Sequence, residues 1–148
     1  MGGVPAPLIR AAIRETRART TKPFGVGILL LRLTGGEIEL CVEERVPALL
    51  LFWGDVRPHV DEAKRAGIPV LVQVGSVDEA KDAAAAGATA LIAQRFEAGG
   101  HVRGTTSLAA LLPAVVEAVK PLPVIAAGGI ANGRGVVREA EEVLKILV

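Results

Sequence analysis

The chain carries one cysteine, Cys41, one tryptophan, three phenylalanines and no tyrosine. A single thiol excludes an intrachain disulfide framework and a multi-cysteine metal site. Aromatic residues at 3% are too sparse for a base-stacking surface, and a formal net charge of +1 gives no long-range pull toward nucleic acid or an anionic membrane. No apolar run approaches the ~20 residues that span a bilayer. The opening MGGVPAPLIRAAIRETRART lacks the continuous apolar segment of a secretory signal. No spacing of His, Asp and Glu makes a metal site. Disorder is excluded as well, because 51% hydrophobic against 22% charged residues is enough apolar material for a packed core. A cytoplasmic globular protein is the expectation. Cys41 lies among apolar residues in a helix-like stretch and reads as a buried, inert thiol.

Ala, Val, Leu and Gly are abundant, as in layered proteins with helices packed on a parallel sheet. Pro7, near the first helical position, opens a helix over 6–20. Its Arg10, Arg14 and Arg17 are expected to form a solvated face opposite a modest apolar stripe of Leu8, Ala12 and Ile13. The expected strands cover 23–30, 48–53, 69–74, 88–93 and 123–127, all short apolar runs of strand length. Helices are expected at 37–46, after the Gly35-Gly36 turn, and at 56–66, ending at Gly67. A third follows Ser76, which caps it with Glu79 completing a capping box, and ends at Gly87. Two more are expected, from Thr106 or Ser107 to Lys120 and over 136–147.

Strands that read as buried on both faces, alternating with helices, indicate a parallel sheet covered by helices. Units of helix, glycine and strand recur, as in AGIPVLVQV and AGATALIAQ. The fold class is therefore α/β, with parallel β/α repeats of the TIM-barrel type in a single partial barrel domain over 1–148. About five strands cannot close a barrel that needs eight strands and roughly 250 residues. The sheet stays open, or two chains cooperate as a homo-oligomer, or the chain is part of a longer ancestral barrel, the reading we favour.

Chemistry concentrates in QRFEAGGHVRG, residues 94–104, which follows the strand ATALIA. Gly99 and Gly100 lack Cβ and allow a flat ligand or a phosphate close to the backbone. His101 can take or give a proton near neutral pH and would act as a general base, although a lone loop histidine more often satisfies a local hydrogen bond. A second glycine turn, AAGGIANG, spans 126–133. Gly128 and Gly129 there expose consecutive backbone N–H groups suited to a phosphate. The spacing is not that of the Rossmann fingerprint. Gln73 and Gln94 end consecutive strands, where their amides either bond the polar edge of a ring or face solvent. Glu97 can orient the loop. His59 reads as a surface residue at a helix start, and Trp53 and Asp55 as strand-end residues on the side of the site.

These segments together resemble the nitronate monooxygenase family, formerly the 2-nitropropane dioxygenases. The resemblance rests on RARTTKPFGVGILL, VQVGSVDEA, EAGGHVRG and PVIAAGGIANGRG. It implies an FMN-dependent barrel in which His101 is the base, Gly128 and Gly129 hold the FMN phosphate, and Gln73 and Gln94 touch its ring system. Substrates would be an alkyl nitronate or nitroalkane and O₂. Flavin-dependent enoyl-acyl-carrier-protein reductases share the EAGGH and AAGGIA elements and are the nearest alternative. A truncated, non-catalytic remnant and a phosphate-binding barrel of sugar or thiamine metabolism are others. Arg95 departs from the glycine such enzymes commonly show, and its side chain can crowd the flavin, turn to solvent or pair with Glu97.

Overall fold

The structure, a computed structural model, describes residues 3–96, 98–99, 102 and 106–137. Its elements are α1 (Ala6–Arg19), β1 (Gly25–Leu29), α2 (Glu37–Glu43), β2 (Ala48–Phe52), α3 (Arg57–Arg65), β3 (Val70–Val74), α4 (Val77–Ala85), β4 (Ala90–Gln94), α5 (Leu108–Val119) and β5 (Val124–Ala127). The strand order is β1-β2-β3-β4-β5, and the registered pairs are parallel. This is the α/β, TIM-barrel-type repeat expected from the periodicity, with five strands among the described residues. The chain divides into two compact units. The first runs to Val72 and takes in Ala86–Ala88, and the second takes Gln73–Ala85 and the described residues from Thr89 onward.

In the first unit β1 pairs with β2 from Gly25↔Ala48 to Leu29↔Phe52, and β2 with β3 from Leu49↔Val70 to Leu51↔Val72. Strands expected to be buried on both faces are fully buried on one only. Leu49 and Leu51 are shut off from solvent while Ala48, Leu50 and Phe52 are half-buried. Ile9, Ile13, Ile28, Ile38 and Val60 complete the core, and burying each such side chain contributes about 1.5–3 kcal/mol. The apolar stripe of α1 is Ile9 and Ile13; Leu8 is exposed. A 3-10 turn over Leu30–Arg32 follows β1 without a periodic signal. Leu31 N–H donates to Trp53 O at 3.0 Å, and Trp53 sits edge-on to Phe52 with ring centroids 6.4 Å apart. Asp55 caps the start of α3 by accepting from Arg57 N–H at 3.2 Å. His59 is half-buried on that helix.

The arginines of α1 keep much of their surface in water, as expected, but their guanidinium groups also converge on one acidic residue. Arg10 and Arg14 donate to Glu44 Oε1 at 2.7 and 2.8 Å, and Arg17 donates to Glu44 O at 2.5 Å. The Glu44 side chain is only 7% exposed. Helical spacing puts three guanidinium groups on one side of α1, and the last turn of α2 presents a carboxylate there. The hydrogen bond from Arg14, then that from Arg10, holds the Glu44 carboxyl below its usual range. Burial pushes the Glu37 carboxyl up, but bonds from Thr34 N–H, Thr34 Oγ1 and Gly35 N–H, each 2.8 Å, outweigh it and leave the pKa lowered. The Cys41 thiol is fully buried, and desolvation raises its pKa to about 11.

Two helices of this unit end alike. Gly67 N–H donates to Lys64 O and Ile68 N–H to Ala63 O, at 3.0 and 2.9 Å, with Gly67 at φ 73°. This is the left-handed cap expected at that glycine. In α2, Arg45 N–H donates to Val42 O and Val46 N–H to Cys41 O, at 3.0 and 3.1 Å, with Arg45 at φ 46°. A side chain occupies the glycine position there, at a cost of about 1 kcal/mol.

In the second unit β4 pairs with β5 from Leu91↔Val124 to Gln94↔Ala127. Helix α5 buries Leu108, Leu111, Leu112, Val115 and Val119, one stripe at three- and four-residue spacing. It packs against α4, β4 and β5. The segment after β5 turns helical at 133–137, earlier than the expected 136, and the rest of that predicted helix lies outside the described residues.

Candidate active site

The C-terminal ends of parallel β-strands are where a β/α repeat exposes backbone and side chains to a ligand. In the second unit these ends carry most of the residues singled out above. Gln73 and Gln94 belong to the half-buried face of β3 and β4. Gln73 Nε2 donates to Gln94 Oε1 at 2.6 Å. The pair fixes both amides and leaves an acceptor on one and a donor on the other, side by side.

Arg95 follows the next half-turn of the pleat and falls on the buried side with Leu91 and Ala93. It is 1% exposed, the largest side chain buried to that degree among the described residues. Its Nη1 donates to Gly75 O at 2.6 Å, and its Nε to Thr106 O. The side chain therefore does not turn to solvent; it bonds the backbone on two sides. Gly75 is gripped from the other direction, since its N–H donates to Glu79 Oε2 at 2.7 Å. Ser76 Oγ accepts from Glu79 N–H at 3.2 Å, so the Ser76–Glu79 pairing expected at the start of α4 is present, with its carboxylate reaching one residue further back.

The two glycine-rich motifs meet. A Cβ on Gly128, at φ 119°, would stand 2.9 Å from Ala98 N and 3.0 Å from Ala98 Cβ. Only glycine lets the end of β5 pass this close to the connection after β4. Gly129 follows at φ 68° and is exposed. Gly99 is exposed, with nothing within 4 Å of a Cβ placed there. Asn132 then caps the helical turn, its Oδ1 accepting from Gly135 N–H at 3.2 Å. His101, Gly100 and Glu97 lie outside the described residues, and with Glu97 the pairing expected for Arg95. Among the described residues no group of His, Cys, Asp and Glu could hold a metal ion, and no helix is long and apolar enough to cross a membrane.

An open approach at Gly99, a left-handed glycine pair after β5 and two amides at neighbouring strand ends suit a ligand with a polar planar edge and a phosphate. The residues present fit a flavin mononucleotide in that respect. Parallel β/α repeats with glycine turns at the C-terminal strand ends define a TIM-barrel-type enzyme domain. The chain belongs to the nitronate monooxygenase family, whose sequence model, described as Nitronate monooxygenase, matches residues 34–139.

Among curated relatives, the chain is similar to a (3aS,4S,5R,7aS)-5-hydroxy-7a-methyl-1-oxo-octahydro-1H-indene-4-carboxyl-CoA dehydrogenase of Mycobacterium tuberculosis, 38% identical over 86% of this chain and 36% of that protein. It is similar to a nitronate monooxygenase of Neurospora crassa, also 38% identical, over 86% of this chain and 42% of the relative. Among solved structures, FabK from Thermotoga maritima superposes with a TM-score of 0.87 at 37% identity, over 95% of this chain and 45% of that one. The chain thus spans between a third and a half of the length of each of these three proteins.

Sequence reasoning put Gln73 and Gln94 at neighbouring strand ends and Gly128 and Gly129 in the turn after β5, but missed the Gln73–Gln94 bond and the bonds that Arg95 makes. The available signal was a long cation directly after a buried strand and between two turns rich in backbone acceptors.

Proposed function

We propose that the chain forms the core of an FMN-dependent oxidoreductase that oxidises alkyl nitronates with O₂. The observation that supports this reading is the contact of Ala98 with Gly128, which brings the connection after β4 against the glycine pair after β5. Gln73 and Gln94 would bond the polar edge of the flavin ring, Gly99 and Gly100 would leave room for its face, and Gly128 and Gly129 would hold its phosphate. FMN, when bound, takes electrons from the substrate and passes them to O₂. With a nitroalkane as the starting compound, His101 would remove the proton from the carbon beside the nitro group and so form the nitronate that is oxidised, a task suited to an imidazole near neutral pH.

The test is direct. Purified protein should show a flavin spectrum, as isolated or after FMN is added, and nitronate-dependent O₂ uptake. Replacing His101 with Ala should lower O₂ uptake driven by the neutral nitroalkane about 10²–10⁴-fold, the usual contribution of a positioned general base, with the spectrum retained and uptake driven by the preformed nitronate much less affected. No flavin signal under either condition sinks the reading.

A second substrate class has specific support. The Mycobacterium tuberculosis relative is named for a carboxyl-CoA substrate, so an acyl thioester competes with the nitronate. Oxidation of NADH driven by an enoyl thioester, without nitronate turnover, would favour the reductase alternative.

A further inference from the structure

We propose that Arg95 is a positioning residue whose guanidinium clasps the turn after β3 to the far end of the β4–α5 connection and so sets the spacing of the two glycine motifs. The consequence for the reaction rests on the FMN reading above; the clasp itself does not.

Four ties converge on this residue. Its backbone N–H donates to Ala127 O at 3.3 Å, at the end of β5, and its carbonyl accepts from Ala98 N–H at 2.9 Å. Its side chain holds Gly75 O at 2.6 Å and also Thr106 O. Ala98 is the residue pressed against Gly128. Gly75 is in turn fixed to α4 through Glu79. The start of the connection, at Ala98, and its end, at Thr106, are thus tied through one side chain and its own backbone. A guanidinium can do this because its donors diverge in a rigid plane and reach two carbonyls at once. A lysine ammonium carries the same charge on a flexible stem and cannot reproduce the fork. A methionine keeps the length and apolar stem and removes every donor.

The experiment compares the wild-type chain with Arg95→Met and Arg95→Lys by hydrogen exchange without cofactor and by FMN titration. In Arg95→Met, amides in 94–99 and 106–110 should gain about tenfold more in exchange rate than those in the second half of α5, 112–119. The FMN dissociation constant should rise about tenfold, with Arg95→Lys intermediate in both readouts. Unchanged exchange in the two segments, or the same acceleration across 112–119, would overturn the proposal and leave Arg95 an ordinary core residue. Should Arg95→Met fail to fold, selective acceleration in Arg95→Lys supports the clasp, and uniform or absent acceleration overturns it. If the wild-type chain binds no FMN, the cofactor reading fails while the exchange comparison still decides the role of Arg95.

Discussion

In the first unit three arginines of α1 share one carboxylate, Glu44, and keep much of their own surface in water, Arg14 being 64% exposed. In the second unit one arginine, Arg95, is withdrawn almost completely from solvent and holds two backbone carbonyls. The same side-chain chemistry serves two ends. Around Glu44 the arginine side of each pair reaches solvent and is screened by salt, so each pair contributes less than a fully buried one. Around Arg95 the bonds lie in a low-dielectric interior, where an unmade bond costs its full desolvation. The first arrangement joins two helices, and the second sets the geometry of strand-end turns.

The largest effect expected from this contrast is on Arg95. Arg95→Met should lower unfolding free energy by about 3 kcal/mol, the scale of losing two bonds from a charged donor. Because the group is buried, denaturation in low and high salt should show the same loss. A loss that vanishes in salt would make Arg95 equivalent to the α1 arginines and break the comparison.

Acid should act first on the other unit. Glu37 and Glu44 have carboxyl pKa values below their usual range, so their folded forms bind protons less readily than the unfolded chain. Their contribution to stability is complete above the unfolded value, about 4.3, and is lost as pH falls through the lowered folded values. Denaturation between pH 6 and about 2 should show this decline. Glu44→Gln should remove only its own share and flatten that part of the profile, with a smaller loss at pH 7 than Arg95→Met and one that shrinks in salt. A pH profile identical in Glu44→Gln and wild type would show that the three arginines draw nothing from the carboxylate.

The smallest effect sharpens the comparison at its border. Arg45 stands next to Glu44 with left-handed backbone. Arg45→Gly should stabilise the chain by about 1 kcal/mol by releasing that strain, without disturbing the α1 arginines. A destabilised variant in thermal melts would mean that Arg45 belongs to the charge cluster.

Much of this was legible in the residues. Apolar runs bounded by glycine and proline located the five strands to within a few residues, because period and punctuation are local properties. Gly67 announced its cap, and Cys41 its burial. Less legible was everything that depends on which segments meet. Arg10, Arg14 and Arg17 read as a solvated face, and nothing local says that Glu44, about thirty residues on, arrives beside them to be shared. Arg45 adopts a glycine conformation because the end of α2 demands it. The pairing of Gln73 with Gln94 and the buried course of Arg95 are likewise products of strand register and of turns brought together, for which a single sequence carries no pattern. The glycines of the two motifs were visible as glycines; that Gly128 is required by Ala98 was not.

Cys41 has a practical consequence. The only thiol of the chain is sealed from solvent and titrates near 11, so at neutral pH thiol-directed reagents should pass it by. The native sequence is thus a ready background for site-directed labelling. A cysteine introduced at Gly99, where open space surrounds the missing side chain, would carry a fluorophore or spin label that reports on that turn alone, and would register the arrival of a ligand there without any enzymatic assay.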